Sequence, residues 1–238
     1  MNQTRKQQIN EAARKIYAES DLDYDDFPAR IVPLNQMLAK YPLTILELPN
    51  GKTLSTRNAV KFLEIEIGFE MPDLKTDERK LSGFLYTAKF GEHLQGCVFT
   101  DKGEPTARRR FSAAHEFGHY LLHFLPLLEI TSAENLFLTE SLAFGEADEN
   151  LSEIEMADDF DFKKIGVEDK KQMEAEADFF AAELLMPRNA CRQANEFLKG
   201  FAGKNKKAVI SYLATEFFVS FEAMKRRLED LDVFGREA

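Results

Sequence analysis

Residues 115–119 read His-Glu-Phe-Gly-His, and no other stretch of this 238-residue chain limits its fold so narrowly. Two histidines four apart share one face of a helix, one turn from each other, so both imidazoles reach a single metal ion only if the segment is helical. Glu116 then stands beside the metal's open position, where a carboxylate can take the proton of a water that the metal has made acidic. The flanking residues favour a helix. From Arg109 to Phe124 there is no proline, and Phe111, Ala114, Phe117, Leu121 and Phe124 recur at three- and four-residue steps until Pro126 ends the run. Gly118 costs such a helix about 1 kcal/mol relative to alanine, which predicts a closely packed neighbour there.

A metal site of this kind needs a third protein ligand. His123 continues the stripe of His115 and His119, but on a straight helix it lies about 12 Å along the axis from His115, too far for ligand bonds of about 2 Å at both ends. Its expected place is in the packing or behind a ligand. The better candidate lies in a second helix, Lys171 to Pro187, where Ala177, Phe180, Ala181, Leu184 and Leu185 form an apolar stripe with residues small enough for close packing. Glu174 and Asp178 are four apart on one face, so Glu174 can complete the metal site while Asp178 orients a ligating histidine through its other ring N–H. Glu176 points about 200° away from Glu174, so at most one of the two faces the metal, and Glu176 stays open as the alternative ligand. Two imidazoles, a carboxylate and a water suit Zn2+, with Mn2+ or Fe2+ as alternatives. Tyr120, His93 and His123 are the groups near enough to steady an oxyanion.

These segments resemble the ImmA/IrrE-type metallopeptidases. The resemblance rests on Arg110-Phe-Ser-Ala-Ala-His115-Glu-Phe-Gly-His119-Tyr-Leu-Leu-His123 and on Glu174-Ala-Glu-Ala-Asp178-Phe-Phe-Ala-Ala-Glu-Leu-Leu-Met-Pro187. Two weaker pieces, Leu81 to Tyr86 and Leu213 to Leu228, extend it over roughly residues 30–232. It implies an α+β, mostly helical, zincin-like domain with a small antiparallel or mixed sheet. It also implies metal ligands at His115, His119 and Glu174, with Glu116 as catalytic base. Members are similar in cleaving, or licensing the cleavage of, a helix-turn-helix repressor encoded nearby, in stress responses and in mobile elements.

The chain departs from that pattern between the two ligand-bearing helices. His119 and Glu174 are separated by 54 residues, and residues 127–170 hold thirteen Asp/Glu against three Lys, a net of −10 that equals the formal charge of the whole chain. Apolar residues such as Leu136, Phe137, Phe144, Ile154 and Phe160 give this acidic insert something to bury, so it reads as ordered or partly ordered, with helical pieces. It is either a solvated flap or a lid or docking surface, since an insert joining the two helices begins and ends near the metal.

Composition agrees with a single-domain enzyme: 44% apolar residues can bury a full core. No apolar run spans a membrane and the first ten residues are too polar for a signal peptide, so the expected location is cytoplasmic. Cys97 and Cys191, alone and far apart, give neither a disulfide framework nor a thiolate metal site. A pI near 5 argues against direct nucleic-acid binding.

Along the chain, residues 1–28 read as an exposed N-terminal helix (3–19) and a linker, and 29–238 as the metallopeptidase domain. Within it the expected elements are a short helix over 31–40, a strand over 43–48, a helix capped by Ser55 or Thr56 and running to about Ile67, and a charged loop over 72–80. A hairpin follows, pairing residues 83–90 with 94–100. A strand just ahead of the helix bearing His115 would present an edge to which a substrate backbone can add. Residues 205–232 form a helical hairpin that imitates a DNA-reading unit, with Lys225, Arg226 and Arg227 on its second helix. Phe217, Phe218, Val219, Phe221 and Met224 give it the look of core instead. Two function classes remain: a zinc endopeptidase acting on a protein regulator, and a non-cleaving, metal-containing interaction or sensor module that controls a repressor. The intact Glu116 favours the first, because a binder has no need of the base.

Overall fold

The first helix, α1 (Gln3–Glu19), is mostly polar, yet Ile9, Ala13, Ile16 and Tyr17, at steps of four, three and one, are all buried. It is therefore not an exposed helix. One narrow apolar stripe is enough to dock it on the main core, where the Tyr17 hydroxyl donates to the Leu184 carbonyl at 2.7 Å. The segment expected as a linker is anchored too: Tyr24 is buried, and its hydroxyl donates to Glu183 at 2.6 Å. The computed structural model describes residues 1–25, 31–69, 76–90, 93–126, 141–147, 167, 170–202 and 205–234.

Among the described residues the other main helices and strands are α2 (Leu34–Leu38), β1 (Leu43–Leu46), α3 (Thr56–Phe62), β2 (Leu81–Phe90), β3 (His93–Thr100), α4 (Thr106–His119), β4 (Ser141–Ala147), α5 (Lys170–Leu185), α6 (Arg188–Ala202), α7 (Lys206–Glu216) and α8 (Phe221–Asp230). The architecture is α+β, mostly helical, around a small mixed sheet of order β1-β3-β2-β4. Ser55 caps α3 by accepting from the Asn58 N–H at 3.2 Å, and the helix widens into a π-type turn at Leu63–Ile67 that Gly68 ends with a φ of 80°. The short helix α2 occupies only the middle of the stretch 31–40, because Pro33 sets its start.

Period-two alternation gives the sheet two buried faces. Leu85 and Val98 point into the large helical core, whereas Phe84, Tyr86, Cys97 and Phe99 form a second cluster with Leu54, Ala59 and Leu63 under α3. Leu81 joins that second cluster although it is an even number of residues from Leu85. The pairing of β2 with β4 slips between Leu81 and Gly83, as an inserted residue requires. Strand β3, directly ahead of α4, pairs with β2 along its length and with β1 over residues 96–99, so along that stretch it has no free edge for a substrate strand. Of the acidic stretch 127–170, only Ser141–Ala147, Val167 and Lys170 are among the described residues. The first of these pieces is a strand on the outer edge of β2, and, Val167 and Lys170 apart, the rest of the stretch, where helical pieces were expected, lies outside the described residues.

The C-terminal hairpin of α7 and α8 turns through Phe218, whose φ of 52° is left-handed, and Ser220 caps α8 by accepting from the Ala223 N–H. Phe217, Val219 and Met224 are core, but Phe218 and Phe221 keep 38% of their surface exposed. Arg227 is buried and paired with Glu183, so it is not offered to solvent. Among the described residues no helix is long and apolar enough to cross a membrane.

Candidate metal centre

The site begins with the close approach of α4 and α5. A Cβ added to Gly118 would lie 3.0 Å from Phe180 Cδ1 and 3.2 Å from the Ala177 Cα, so the missing side chain lets the two backbones nearly touch. That contact is the closely packed neighbour expected at Gly118. Ala177 sits between Glu174 and Asp178, so the same approach sets both carboxylates against the histidines of α4.

Three ligand-type atoms converge there. His115 Nε2 and His119 Nε2 are 3.0 Å apart, and Glu174 Oε2 lies 3.2 Å from the first and 3.7 Å from the second. Ligands held tetrahedrally at about 2.0–2.1 Å from zinc are about 3.3 Å from one another, and the observed triangle brackets that spacing. His115, His119 and Glu174 could thus hold a metal ion.

The protonation states suit the same task. Burial pushes the His119 imidazole down to about 4, against the opposing pull of Glu174, so at neutral pH it is uncharged with a lone pair to give. Burial alone would raise Glu174, but its hydrogen bonds with His115 and His119 outweigh that and hold the carboxyl far below the usual range. The far nitrogens are also engaged. His115 Nδ1 is 2.8 Å from Asp178 Oδ1, on the solvent side of the site, where the Asp178 side chain is 60% exposed.

On the other side, α4 continues into a π-type turn, Tyr120–Phe124, and His119 Nδ1 lies 3.0 Å from His123 Nδ1. His123 Nε2 is 3.2 Å from Glu176 Oε2, and Glu176 accepts in turn from Arg5 at 2.7 Å and from Gln172 at 2.8 Å. Both His123 and Glu176 are fully buried. Burial would raise the Glu176 carboxyl, but these donors bring it down to about 2. Glu116 is buried under β2: a Cβ on Gly83 would fall 2.6 Å from its Oε1 and 3.1 Å from its Cγ, so the bare backbone at Gly83 makes room for the carboxylate where it stands.

The model of the family Peptidase_M78, described as IrrE N-terminal-like domain, matches residues 71–142 and 142–229. The chain belongs to this family. Its two matched stretches meet at Leu142, inside the acidic segment between the ligand-bearing helices. No curated protein matches the chain. Membership in a peptidase family supports a peptidase-type function acting on protein.

Of the residues singled out by sequence, His115, His119, Glu174 and Asp178 are brought together, with Glu116 buried on the same helix. Glu176 is turned away from the triangle towards His123. Tyr120 packs in the apolar core beside Tyr41 and Phe124, and the side chain of His93 lies outside the described residues. Sequence reasoning missed Gly83 and Arg5. Gly83 has a faint signal, a glycine inside a strand pattern, which marks a close approach. Arg5 has none, since its partner is 171 residues away.

Proposed function

We propose that the protein is a zinc-dependent endopeptidase in which His115, His119 and Glu174 hold the metal, Asp178 orients His115, and Glu116 is the general base. The observation that carries this is the triangle of 3.0, 3.2 and 3.7 Å between the three ligand atoms, with Glu116 next in sequence to the first of them. A zinc ion bound there would supply a water that loses its proton near neutral pH and a positive charge for the carbonyl oxygen of the scissile bond. Glu116 Oε1 or Oε2 would take that proton as the water oxygen bonds to the carbonyl carbon and return it to the amine nitrogen as the C–N bond breaks, so the carboxylate acts first as base and then as acid. Burial under Gly83 holds its side chain in one place for both transfers. Asp178 accepts the Nδ1–H of His115, which fixes the tautomer that leaves Nε2 free.

The substrate in this reading is a helix-turn-helix repressor. The excess negative charge of residues 127–170 suits a basic partner, because charges of opposite sign steer encounter over about a Debye length. The test uses zinc-loaded wild type and Glu116→Gln with a helix-turn-helix repressor encoded beside the gene, fragments being followed by mass spectrometry. Cleavage should fall by about 10² or more in the variant while its metal content stays the same. Equal cleavage by both proteins sinks the assignment of the base. Tight binding of the repressor with no cleavage by either supports the non-cleaving interaction module instead. The same assay at rising salt tests the steering, and a flat rate excludes it.

A further inference from the structure

Two histidines that aim Nε2 at one point must dispose of a proton on Nδ1. For His115 the acceptor is Asp178. For His119 the Nδ1 atom lies 3.0 Å from another imidazole nitrogen, His123 Nδ1. An imidazole can accept at Nδ1 only if its proton is on Nε2, and that proton then needs an acceptor of its own. Glu176 Oε2 supplies it at 3.2 Å, with Arg5 donating to that same oxygen and Gln172 to the other. One set of proton positions therefore satisfies the whole row, each N–H donating in the direction of Glu176. If Glu176 could not accept, His123 could carry its proton on Nδ1 instead. That proton would face His119 and force the His119 proton onto Nε2, the atom turned towards the metal.

We propose that Glu176, acting through His123, is a positioning residue for His119: the buried carboxylate fixes the tautomer that leaves His119 Nε2 free for metal, and Arg5 of the N-terminal helix holds the carboxylate in place. Burial makes this more than packing. A carboxylate with no exposed surface is strongly unfavourable unless it is paired and hydrogen-bonded, and here Arg5, Gln172 and His123 supply the partners, the last of them abutting His119. The family match begins at residue 71, so the arginine that completes the row comes from outside the matched stretch.

The proposal rests on His119 being a metal ligand, and the experiment separates the two. Zinc affinity is measured by competition with a chromophoric chelator, and the absorption spectrum of the cobalt-loaded protein reports ligand geometry. Thermal unfolding of the metal-free protein reports the fold. Glu176→Leu and His123→Phe should each weaken zinc binding about 10- to 100-fold and alter the cobalt spectrum. His123→Asn, whose side-chain carbonyl can still accept from His119, should recover much of the loss, as should Glu176→Gln, which can still accept from His123. The double variant Glu176→Leu with His123→Phe should lose no more than either single one, because both break the same row. Arg5→Met should show a smaller loss in the same direction. Unchanged affinity and spectrum in the single variants overturn the proposal. So do additive losses, or losses in His123→Asn equal to those in His123→Phe. Absence of zinc binding by the wild type removes the reading of the metal site itself.

Discussion

Helix α5 carries two buried acids seven residues apart, Glu176 and Glu183, neither with any exposed surface. Both are met by side chains from the N-terminal segment, Glu176 by Arg5 and Glu183 by Tyr24. Beyond that they differ. Glu176 faces an imidazole that abuts His119, whereas Glu183 pairs with Arg227 of α8 at 2.7 Å, and Arg227 in turn donates to the Met186 carbonyl. The first acid joins the N-terminus to the metal centre, and the second clamps the N-terminus to the C-terminal hairpin. Equal burial therefore says nothing of role. What decides it is where the row of partners ends.

The sharpest separation should come from removing each acid. Glu183→Ala leaves Arg227 buried without its counter-charge, a change that costs about 3–5 kcal/mol, and urea unfolding should show a loss of that size. Zinc affinity of the fraction that stays folded should match wild type, in contrast with the Glu176 variants. Should Glu183→Ala not fold, Glu183→Met combined with Arg227→Met removes both charges and should cost much less. A zinc affinity that falls with the clamp intact elsewhere would erase the distinction between the two acids.

Gly118 tests whether the metal centre depends on the spacing of the helices as well as on the acids. A methyl group there meets the Ala177 backbone, which cannot move without carrying Glu174 and Glu176 with it. Gly118→Ala gains about 1 kcal/mol in helix propensity and loses about 1–3 kcal/mol to overpacking, so a modest net destabilisation is expected. Zinc affinity should drop as well. Greater stability with unchanged affinity would show that the two helices separate freely.

Acid should act on the metal-free protein through the row that joins Glu176 to His119. His119 titrates near 4 when folded and 6.5 when free, so between those values the unfolded chain binds more protons and stability falls as pH falls. Glu176 is held at about 2 against an ordinary 4.5, so its contribution is present above 4.5 and is lost as pH falls through about 2. Glu176→Gln should flatten the lower limb of the stability curve measured by urea unfolding at each pH. An unaltered lower limb in that variant would mean that Glu176 is not the group responsible.

How much of this was legible in the sequence follows the range of the forces involved. The helix around His115 and His119, the pair Glu174 and Asp178, and the close packing at Gly118 all declare themselves through spacing of three and four within one helix. Ser55 as a cap and the β2–β3 hairpin are equally local. What the sequence hid is non-local. Helix α1 looked exposed because a single stripe of Ile9, Ala13, Ile16 and Tyr17 is diluted by polar residues, and its partner α5 lies more than 150 residues on. Strand β3 looked like an edge because nothing local announces that β1 will pair with it in parallel from across the hairpin. Glu176 was open as a ligand because angle around a helix says which way a carboxylate leaves, not what awaits it there.

The last and smallest effect uses the two thiols as reporters of the two faces of the core. Cys191 on α6 is fully buried and sensitive to both Arg227 and Glu183, and burial pushes its thiol up to about 12. Cys97 on β3 lies under α3, away from both acids, and burial pushes it up to about 11. A thiol reagent attacks the thiolate and needs access, so at pH 8 both should react slowly in the native wild type. Loosening the clamp lowers the free energy of local opening around α6 without touching the α3 face. In Glu183→Ala, under conditions where the protein remains folded, Cys191 should therefore react faster while Cys97 keeps its wild-type rate. In Glu176→Leu neither rate should change, because the row it breaks ends at the metal centre and not at the hairpin. Parallel acceleration of both thiols in Glu183→Ala would mean global unfolding rather than a local clamp, and acceleration of Cys191 in Glu176→Leu would mean that the two acids form one structural unit.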